Sequence, residues 1–122
     1  MKRILLIYIV TLVFLSLNPW MLPDPSLAIG TITWDKIDHA IAYSGLSLLL
    51  MLAYRHHRPL WQMSLIVLLT CTLVGVLLEY CQLWFTSTRE FSYYDALANS
   101  VGAAIGIILF WCYALVDVEY VK

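Results

Sequence analysis

Long apolar segments alternate with short polar stretches along this chain. The apolar segments cover residues 4–22, 35–54, 60–85 and 95–116. Each is close to the roughly 20 residues that an α-helix needs to cross the ~30 Å hydrocarbon core of a bilayer. The pattern predicts an all-α protein, an integral membrane bundle of four transmembrane helices that forms a single domain over residues 1–122.

The polar stretches contain residues that favour turns and helix starts. Pro23 to Gly30 predicts a loop, and Thr33 is suited to cap a helix that begins at Thr33 or Trp34. A second turn is predicted over residues 55–59, where the sequence reads R-H-H-R-P. The third helix would be about 39 Å long at ~1.5 Å per residue, so we expect it to tilt or protrude.

The N-terminal segment allows two interpretations. Its basic start, short apolar run and Ser26-Leu27-Ala28 sequence are compatible with a cleaved secretory signal. The alternative is a retained first span that ends near Asn18-Pro19, with Trp20 at the interface. We favour the retained span, because the range 4–22 is close to the ~20 residues that a crossing requires.

Composition places the chain in a membrane and away from nucleic acid. Hydrophobic residues make up 62% of the chain and charged residues 12%, and the mean hydropathy is +0.83. A soluble domain carries about twice that charged fraction. The net charge of -1 indicates no nucleic-acid partner. The three cysteines show no CxxC spacing and are expected to be small apolar packing residues.

The distribution of Lys and Arg predicts how the bundle is oriented. With a cytoplasmic N-terminus and four spans, the cytoplasmic side receives Lys2, Arg3, Arg55, Arg58 and Lys122, and the other side receives Lys36 and Arg89. Lys and Arg are enriched in cytoplasmic loops. We therefore expect both termini to be cytoplasmic.

Three of the predicted helices carry a polar stripe at helical spacing. The stripes are Asp35, His39 and Tyr43 on the second span, Gly75, Glu79 and Gln82 on the third, and Asp95, Asn99, Gly102 and Gly106 on the fourth. Residues three and four apart share a helix face. Glu79 would lie about 7.5 Å from the outer interface, which Trp84 marks. The stripes predict a shallow polar pocket, open to the outside or to the outer leaflet.

The stripe residues allow several kinds of chemistry. Glu79, His39 and Asp95 are candidate acid–base groups. They could instead join helices by hydrogen bonds, as polar residues in membrane helices often do. Asp35, His39, Glu79 and Asp95 are acceptable metal ligands by type, but no HExxH or CxxC motif accompanies them, so we expect no metal.

Two further features concern the pocket mouth and helix packing. Arg89 and Lys36 could bind a phosphate, and Arg89 could equally pair with Glu90 or Asp95. Gly102 and Gly106 form a close-packing stripe, expected to contact the second or third span within one chain rather than a second copy.

These residues, in order, resemble the VanZ-like family of small bacterial integral membrane proteins. The resemblance is carried by D-K-x-x-H-x-x-x-Y from Asp35, E-x-x-Q from Glu79, and R-x-x-S-x-x-D-x-x-x-N-x-x-G-x-x-x-G from Arg89. It covers roughly residues 34–110. It implies a helical bundle in a bacterial cytoplasmic membrane, and it implies no established reaction. The family is named after a member associated with resistance to teicoplanin, and the resemblance does not imply resistance here.

Together the stripes and the resemblance predict a protein that binds a lipid or a lipid-linked cell-envelope component. The expected ligand-binding residues are Asp35, Lys36, His39, Tyr43, Glu79, Gln82, Arg89, Asp95 and Asn99. One alternative is a membrane enzyme of envelope metabolism that uses Glu79, His39 or Asp95. Another is a structural or accessory membrane subunit. No cofactor is expected, and the sequence leaves the oligomeric state open.

Overall fold

A computed structural model describes most of the chain as four helices and one small hairpin. It describes residues 1–17, 28–29, 32–85 and 93–117, with side-chain surroundings for 1–17, 36–84 and 93–117. The elements are α1 (Lys2–Leu17), β1 (Ala28–Ile29), β2 (Ile32–Thr33), α2 (Trp34–Tyr54), α3 (Leu60–Phe85) and α4 (Tyr93–Val116). The predicted all-helical architecture is confirmed.

Helix boundaries agree closely with the hydrophobic pattern. The second helix begins at Trp34, directly after the predicted cap, and the third has the predicted bounds, Leu60–Phe85. Within the described residues, three helices, α2, α3 and α4, are long and apolar enough to cross a membrane. The first helix has 16 residues. Whether it continues to residue 22 concerns positions outside the described residues.

The sequence did not predict the hairpin before α2. Ala28 pairs with Thr33 and Ile29 with Ile32 in an antiparallel arrangement. Only two residue pairs form it, too few for the alternation of apolar and polar residues that indicates a strand. A short pair of antiparallel strands therefore lies at the end of the predicted loop, and β2 leads directly into α2.

The helices alternate in direction. Lys2 Nζ lies 5.8 Å from the ring centroid of Tyr54, so α1 begins where α2 ends. At mid-height, the Tyr8 hydroxyl donates to the carbonyl of Ala42 at 2.6 Å. Trp111 near the end of α4 donates to Ser64 near the start of α3 at 2.8 Å. The bundle therefore has two ends. The basic end carries Lys2, Arg3, Arg55 and Arg58, and the polar end carries the start of α2, the end of α3 and the start of α4.

Close contact between α2 and α4 forms the centre of the bundle. These two helices share the most extensive interface among the described elements. A Cβ at Gly102 would overlap the backbone of Ala40, and one at Gly106 would overlap Ser47 and the carbonyl of Ser44. The prediction that this glycine stripe packs within one chain is confirmed, with α2 as the partner.

Core and surface differ sharply in accessibility but little in polarity. Met51, Cys71, Ala103 and Phe110 are fully buried. Many outward residues are equally apolar, and Leu69 and Ile108 are each about 60% exposed. A soluble protein rarely exposes so continuous an apolar surface, whereas a bilayer solvates it. The architecture is that of a multi-pass membrane protein.

Candidate functional site

Five polar side chains gather near the polar end of the bundle, and we call them the polar cluster: Lys36, His39, Glu79, Asp95 and Asn99. Glu79 is 3% exposed, Asp95 6% and Asn99 1%. The cluster draws on three helices, because α2 supplies the first two residues, α3 supplies Glu79 and α4 supplies the last two. Residues of all three predicted stripes therefore meet here, namely His39, Glu79, Asp95 and Asn99, and Lys36 lies beside them.

The imidazole of His39 is oriented by Asn99. His39 Nδ1 lies 2.9 Å from Asn99 Oδ1, across the α2–α4 interface. An amide oxygen only accepts, so Nδ1 carries a proton and donates it. This bond fixes the orientation of the ring and therefore the position of the second ring nitrogen, Nε2.

Glu79 faces the second nitrogen of His39. Its Oε1 lies 3.9 Å from His39 Nε2, and the two side chains are 3% and 13% exposed. That separation is longer than a hydrogen bond between nitrogen and oxygen. The two groups attract each other when the imidazole is protonated, or when a cation lies between them.

Lys36 connects the cluster with the surface. Its Nζ lies 3.9 Å from Asp95 Oδ1, and its side chain is 30% exposed whereas that of Asp95 is 8% exposed. The same ammonium lies 5.9 Å from the ring centroid of Tyr94, a residue that is 72% exposed. A cation over an aromatic face gains electrostatic attraction at about this distance. The exposed Tyr94 and the partly exposed Lys36 therefore connect the protein surface with the buried carboxylate of Asp95.

Asn99 occupies space that a glycine provides. A Cβ at Gly75 would lie 2.6 Å from Asn99 Nδ2 and 3.1 Å from its Cβ, closer than ordinary van der Waals contact. Gly75 lies one helical turn before Glu79, so this space adjoins the cluster. Asn99 Nδ2 is buried and has no hydrogen-bond acceptor among the described residues.

Not every predicted site residue belongs to the cluster. The Gln82 amide nitrogen donates to the carbonyl of Ser16 at 2.6 Å, so this residue ties α3 to α1. Tyr43 is 2% exposed and belongs to the apolar core, one turn beyond His39. The side chain of Asp35 and all of Arg89 lie outside the described residues.

Three of the clustered side chains have the atoms to bind a metal ion. His39, Glu79 and Asp95 each present one ligand atom, and these atoms lie within 4.8 Å of one another. Imidazole nitrogen and carboxylate oxygen are both common ligands of divalent transition metals. Chemically, the cluster can bind a cation, donate to an anion through Lys36, or transfer a proton at His39.

Comparison with known proteins assigns the family. A family model described as VanZ/LLP1 matches residues 3–116. The chain belongs to the VanZ/LLP1 family. No curated protein matches the chain, and no solved structure does. The predicted resemblance is confirmed, and the match reaches further than the motif-bearing spans because it includes α1.

Sequence reasoning did not predict three contacts in or near this VanZ/LLP1 site. Tyr94 lies beside Lys36, Gly75 makes room for Asn99, and the carbonyl of Ser16 accepts from Gln82. Tyr94 directly precedes Asp95, and an aromatic residue at a span end was open to interpretation as a simple interface anchor. A backbone carbonyl such as that of Ser16 leaves no sequence signal at all.

Proposed function

We propose that this VanZ/LLP1 membrane protein binds a phosphate-bearing lipid or lipid-linked cell-envelope component at the polar end of its bundle. The observation that carries the proposal is the placement of Lys36. It is partly exposed, lies beside an exposed tyrosine, and leads to a buried polar cluster. In this proposal, the membrane is a bacterial cytoplasmic membrane, as the resemblance to VanZ-like proteins suggests.

Burial of the cluster supports a functional role. Charged residues within membrane helices are costly and usually mark binding sites or ion paths. Glu79 and Asp95 are both carboxylates and both nearly inaccessible. Packing alone would be served as well by apolar side chains, since replacing a buried ion pair by apolar groups is often neutral or stabilising.

The depth of the cluster suits a lipid headgroup. Lys36 and Asp95 each lie two residues after the start of their helices, which is about 3 Å along the axis. Glu79 lies six residues before the end of α3, about 9 Å along the axis. Headgroups and their phosphates occupy this interfacial zone at the edge of the ~30 Å hydrocarbon core.

The chemistry of Lys36 favours phosphate. An ammonium group has three donors and binds phosphate as a point charge. Asp95 lies on one side of the Lys36 ammonium. The Lys36 side chain is partly exposed, so a phosphate can approach it from the surface. The neighbouring carboxylates repel an anion that enters deeply, so the phosphate would remain at the Lys36 side of the cluster.

The proposed orientation places the polar end at the outer leaflet. Lys2, Arg3, Arg55 and Arg58 all lie at the opposite end, and positive residues mark the cytoplasmic side. Both termini are then cytoplasmic and α1 is the first of four spans. A lipid or lipid-linked envelope component in the outer leaflet would meet Lys36 directly.

A second candidate function is a membrane enzyme of envelope metabolism. The observation that favours it is the fixed imidazole, held through Nδ1 by Asn99 with Nε2 facing Glu79. A general base needs this kind of orientation. In that case Glu79→Gln would slow turnover and retain unreacted lipid, whereas in a binding protein the same change would lower lipid retention. In a structural or accessory subunit it would lower stability and leave lipid content unchanged.

Mass spectrometry of lipids that copurify with the protein tests the proposal. Lys36→Gln removes one charge and leaves a shorter polar side chain, and Arg55→Gln makes the same kind of change at the basic end. A hydrogen bond to a charged group contributes about 1.5–3 kcal/mol, which corresponds to about ten-fold or more in binding. We expect Lys36→Gln to lose about ten-fold of the phosphate-bearing lipid and Arg55→Gln to retain it. Equal retention in the two variants would reject the proposal.

A further inference from the structure

The three ligand-bearing residues of the cluster come from three different helices. His39 lies on α2, Glu79 on α3 and Asp95 on α4, and their donor atoms lie within 4.8 Å of one another. Bonds of about 2.0–2.2 Å to a divalent metal place opposite ligands about 4.4 Å apart. Small side-chain rotations therefore bring all three atoms into one coordination sphere.

The orientation of His39 is that of a metal ligand. Its Nδ1 donates to Asn99 Oδ1, so in the neutral imidazole Nε2 carries the lone pair. Nε2 lies 3.9 Å from a carboxylate oxygen of Glu79, and a cation between these two electron-rich atoms would attract both. Ligating histidines usually donate their other ring N–H to an orienting group, as His39 does.

An independent observation concerns the amide nitrogen of Asn99, Nδ2, whereas Oδ1 is the atom that accepts from His39. Asn99 is 1% exposed, and its Nδ2 has no acceptor among the described residues. The nitrogen faces Gly75, one turn from Glu79. Buried amide donors nearly always have a partner, so an oxygen atom of a ligand is expected here. A metal-bound water or a phosphate oxygen would supply it.

Charge balance relates the cation to the proposed ligand. Glu79, Asp95 and Lys36 leave the cluster with one formal negative charge when His39 is neutral. A divalent cation changes this to one positive charge, which suits a phosphate monoanion. The cation would therefore lower the repulsion between the carboxylates of the cluster and an incoming anion.

We infer that His39 Nε2 and the carboxylates of Glu79 and Asp95 bind one divalent cation of the Mn²⁺ or Zn²⁺ class, oriented by Asn99. One nitrogen and two carboxylate oxygens suit these ions better than soft thiophilic ones. The inference deepens the proposed function, because the cation and Lys36 would together receive the phosphate. It replaces the expectation of no metal, which rested on the absence of a local HExxH or CxxC motif.

Manganese alone is the probe that tests this site. Protein purified in detergent and treated with a chelator is titrated with Mn²⁺, and free Mn²⁺ is followed by electron paramagnetic resonance. We expect one bound ion per chain in the wild type. Glu79→Gln should weaken binding by at least ten-fold, and Asn99→Ala by about 10–100-fold, as is typical of groups that orient a metal ligand. Asp38→Asn is the matched control, because Asp38 is an exposed carboxylate beside His39.

A second measurement on the wild type does not depend on the folding of any variant. Pulsed resonance of the bound Mn²⁺ should show coupling to a ¹⁴N nucleus, which only imidazole ligation supplies in this set of residues. Absence of tight binding, absence of the ¹⁴N coupling, or equal effects of Glu79→Gln and Asp38→Asn would each overturn the inference. Lipid retention that depends on Lys36 in a chain that binds no Mn²⁺ would overturn the cation site and leave the lipid proposal intact.

Discussion

Replacing Gly102 with alanine should separate α2 from α4 and weaken the polar cluster in the same step. The added Cβ would lie 2.7 Å from Ala40 Cα and 2.8 Å from its carbonyl carbon, whereas ordinary contact begins at 3.4 Å. The neighbour is backbone, so it cannot rotate away. The carbonyl oxygen of Ala40 lies closer still, so the difference between 3.4 and 2.7 Å makes about 0.7 Å the smallest separation that the helices must gain.

This displacement has consequences for stability and for the site. Overpacking of a tight interface typically costs about 1–3 kcal/mol. His39 adjoins Ala40, and Asn99 lies three residues before Gly102, so the same movement acts on their hydrogen bond. A shift of at least that size along the bond would lengthen it from 2.9 Å to about 3.6 Å or more, beyond a useful hydrogen bond.

Gly45→Ala provides a matched control for this prediction. Both substitutions gain the same helix propensity, about 1 kcal/mol. At Gly45, however, the added Cβ would meet the hydroxyl end of Tyr8, whose displacement costs its hydrogen bond to the Ala42 carbonyl but does not require two helices to separate. Thermal unfolding in detergent, followed by helical circular dichroism, should show Gly102→Ala to be less stable than Gly45→Ala by about 1–3 kcal/mol. Equal stability of the two variants would refute the packing argument.

Two further predictions address topology and the core. The topology test uses a chain in which the three native cysteines have been replaced. Lys36→Cys should then react with an impermeant thiol reagent added outside the cell, whereas His57→Cys should react only after the cytoplasmic side is opened. The opposite pattern would reverse the proposed orientation. Phe110 is fully buried, and Phe110→Ala should lower the free energy of unfolding by about 3–5 kcal/mol. Its neighbour Leu109 is 50% exposed, so Leu109→Ala should change stability by only about 0.5 kcal/mol, and similar losses at both positions would contradict the assigned core.

Helix positions were predictable because hydrophobic length and turn residues act locally. Thr33 and Trp34 marked the start of α2, and Pro59 marked the turn before α3. The helix that the glycine stripe contacts was harder to predict from the sequence. Gly102 and Gly106 indicated a close approach, but α2 and α3 were equally plausible from sequence. The surface that decides between them is the backbone of Ala40 and Ser44, and every residue type carries the same backbone.

The sequence predicted which residues form the candidate site better than it predicted which residues they contact. Helical spacing correctly placed His39, Glu79 and Asp95 toward a common region. It also grouped Gln82 with Glu79, although residues three apart differ in direction by about 60° on a helix. That angle is enough to turn Gln82 toward α1, where it finds the carbonyl of Ser16. The Asn99 bond to His39 depends on how closely two helices approach, which spacing along one chain does not specify.

We propose above that the polar cluster binds a phosphate-bearing amphiphile through Lys36. Native mass spectrometry tests it most directly by counting the phosphorylated lipid molecules that remain on each chain after mild delipidation. We predict one retained molecule for the wild type and for Arg55→Gln, and a clearly lower occupancy for Lys36→Gln, whose affinity should fall by about ten-fold. The same occupancy in Lys36→Gln and Arg55→Gln would contradict the account.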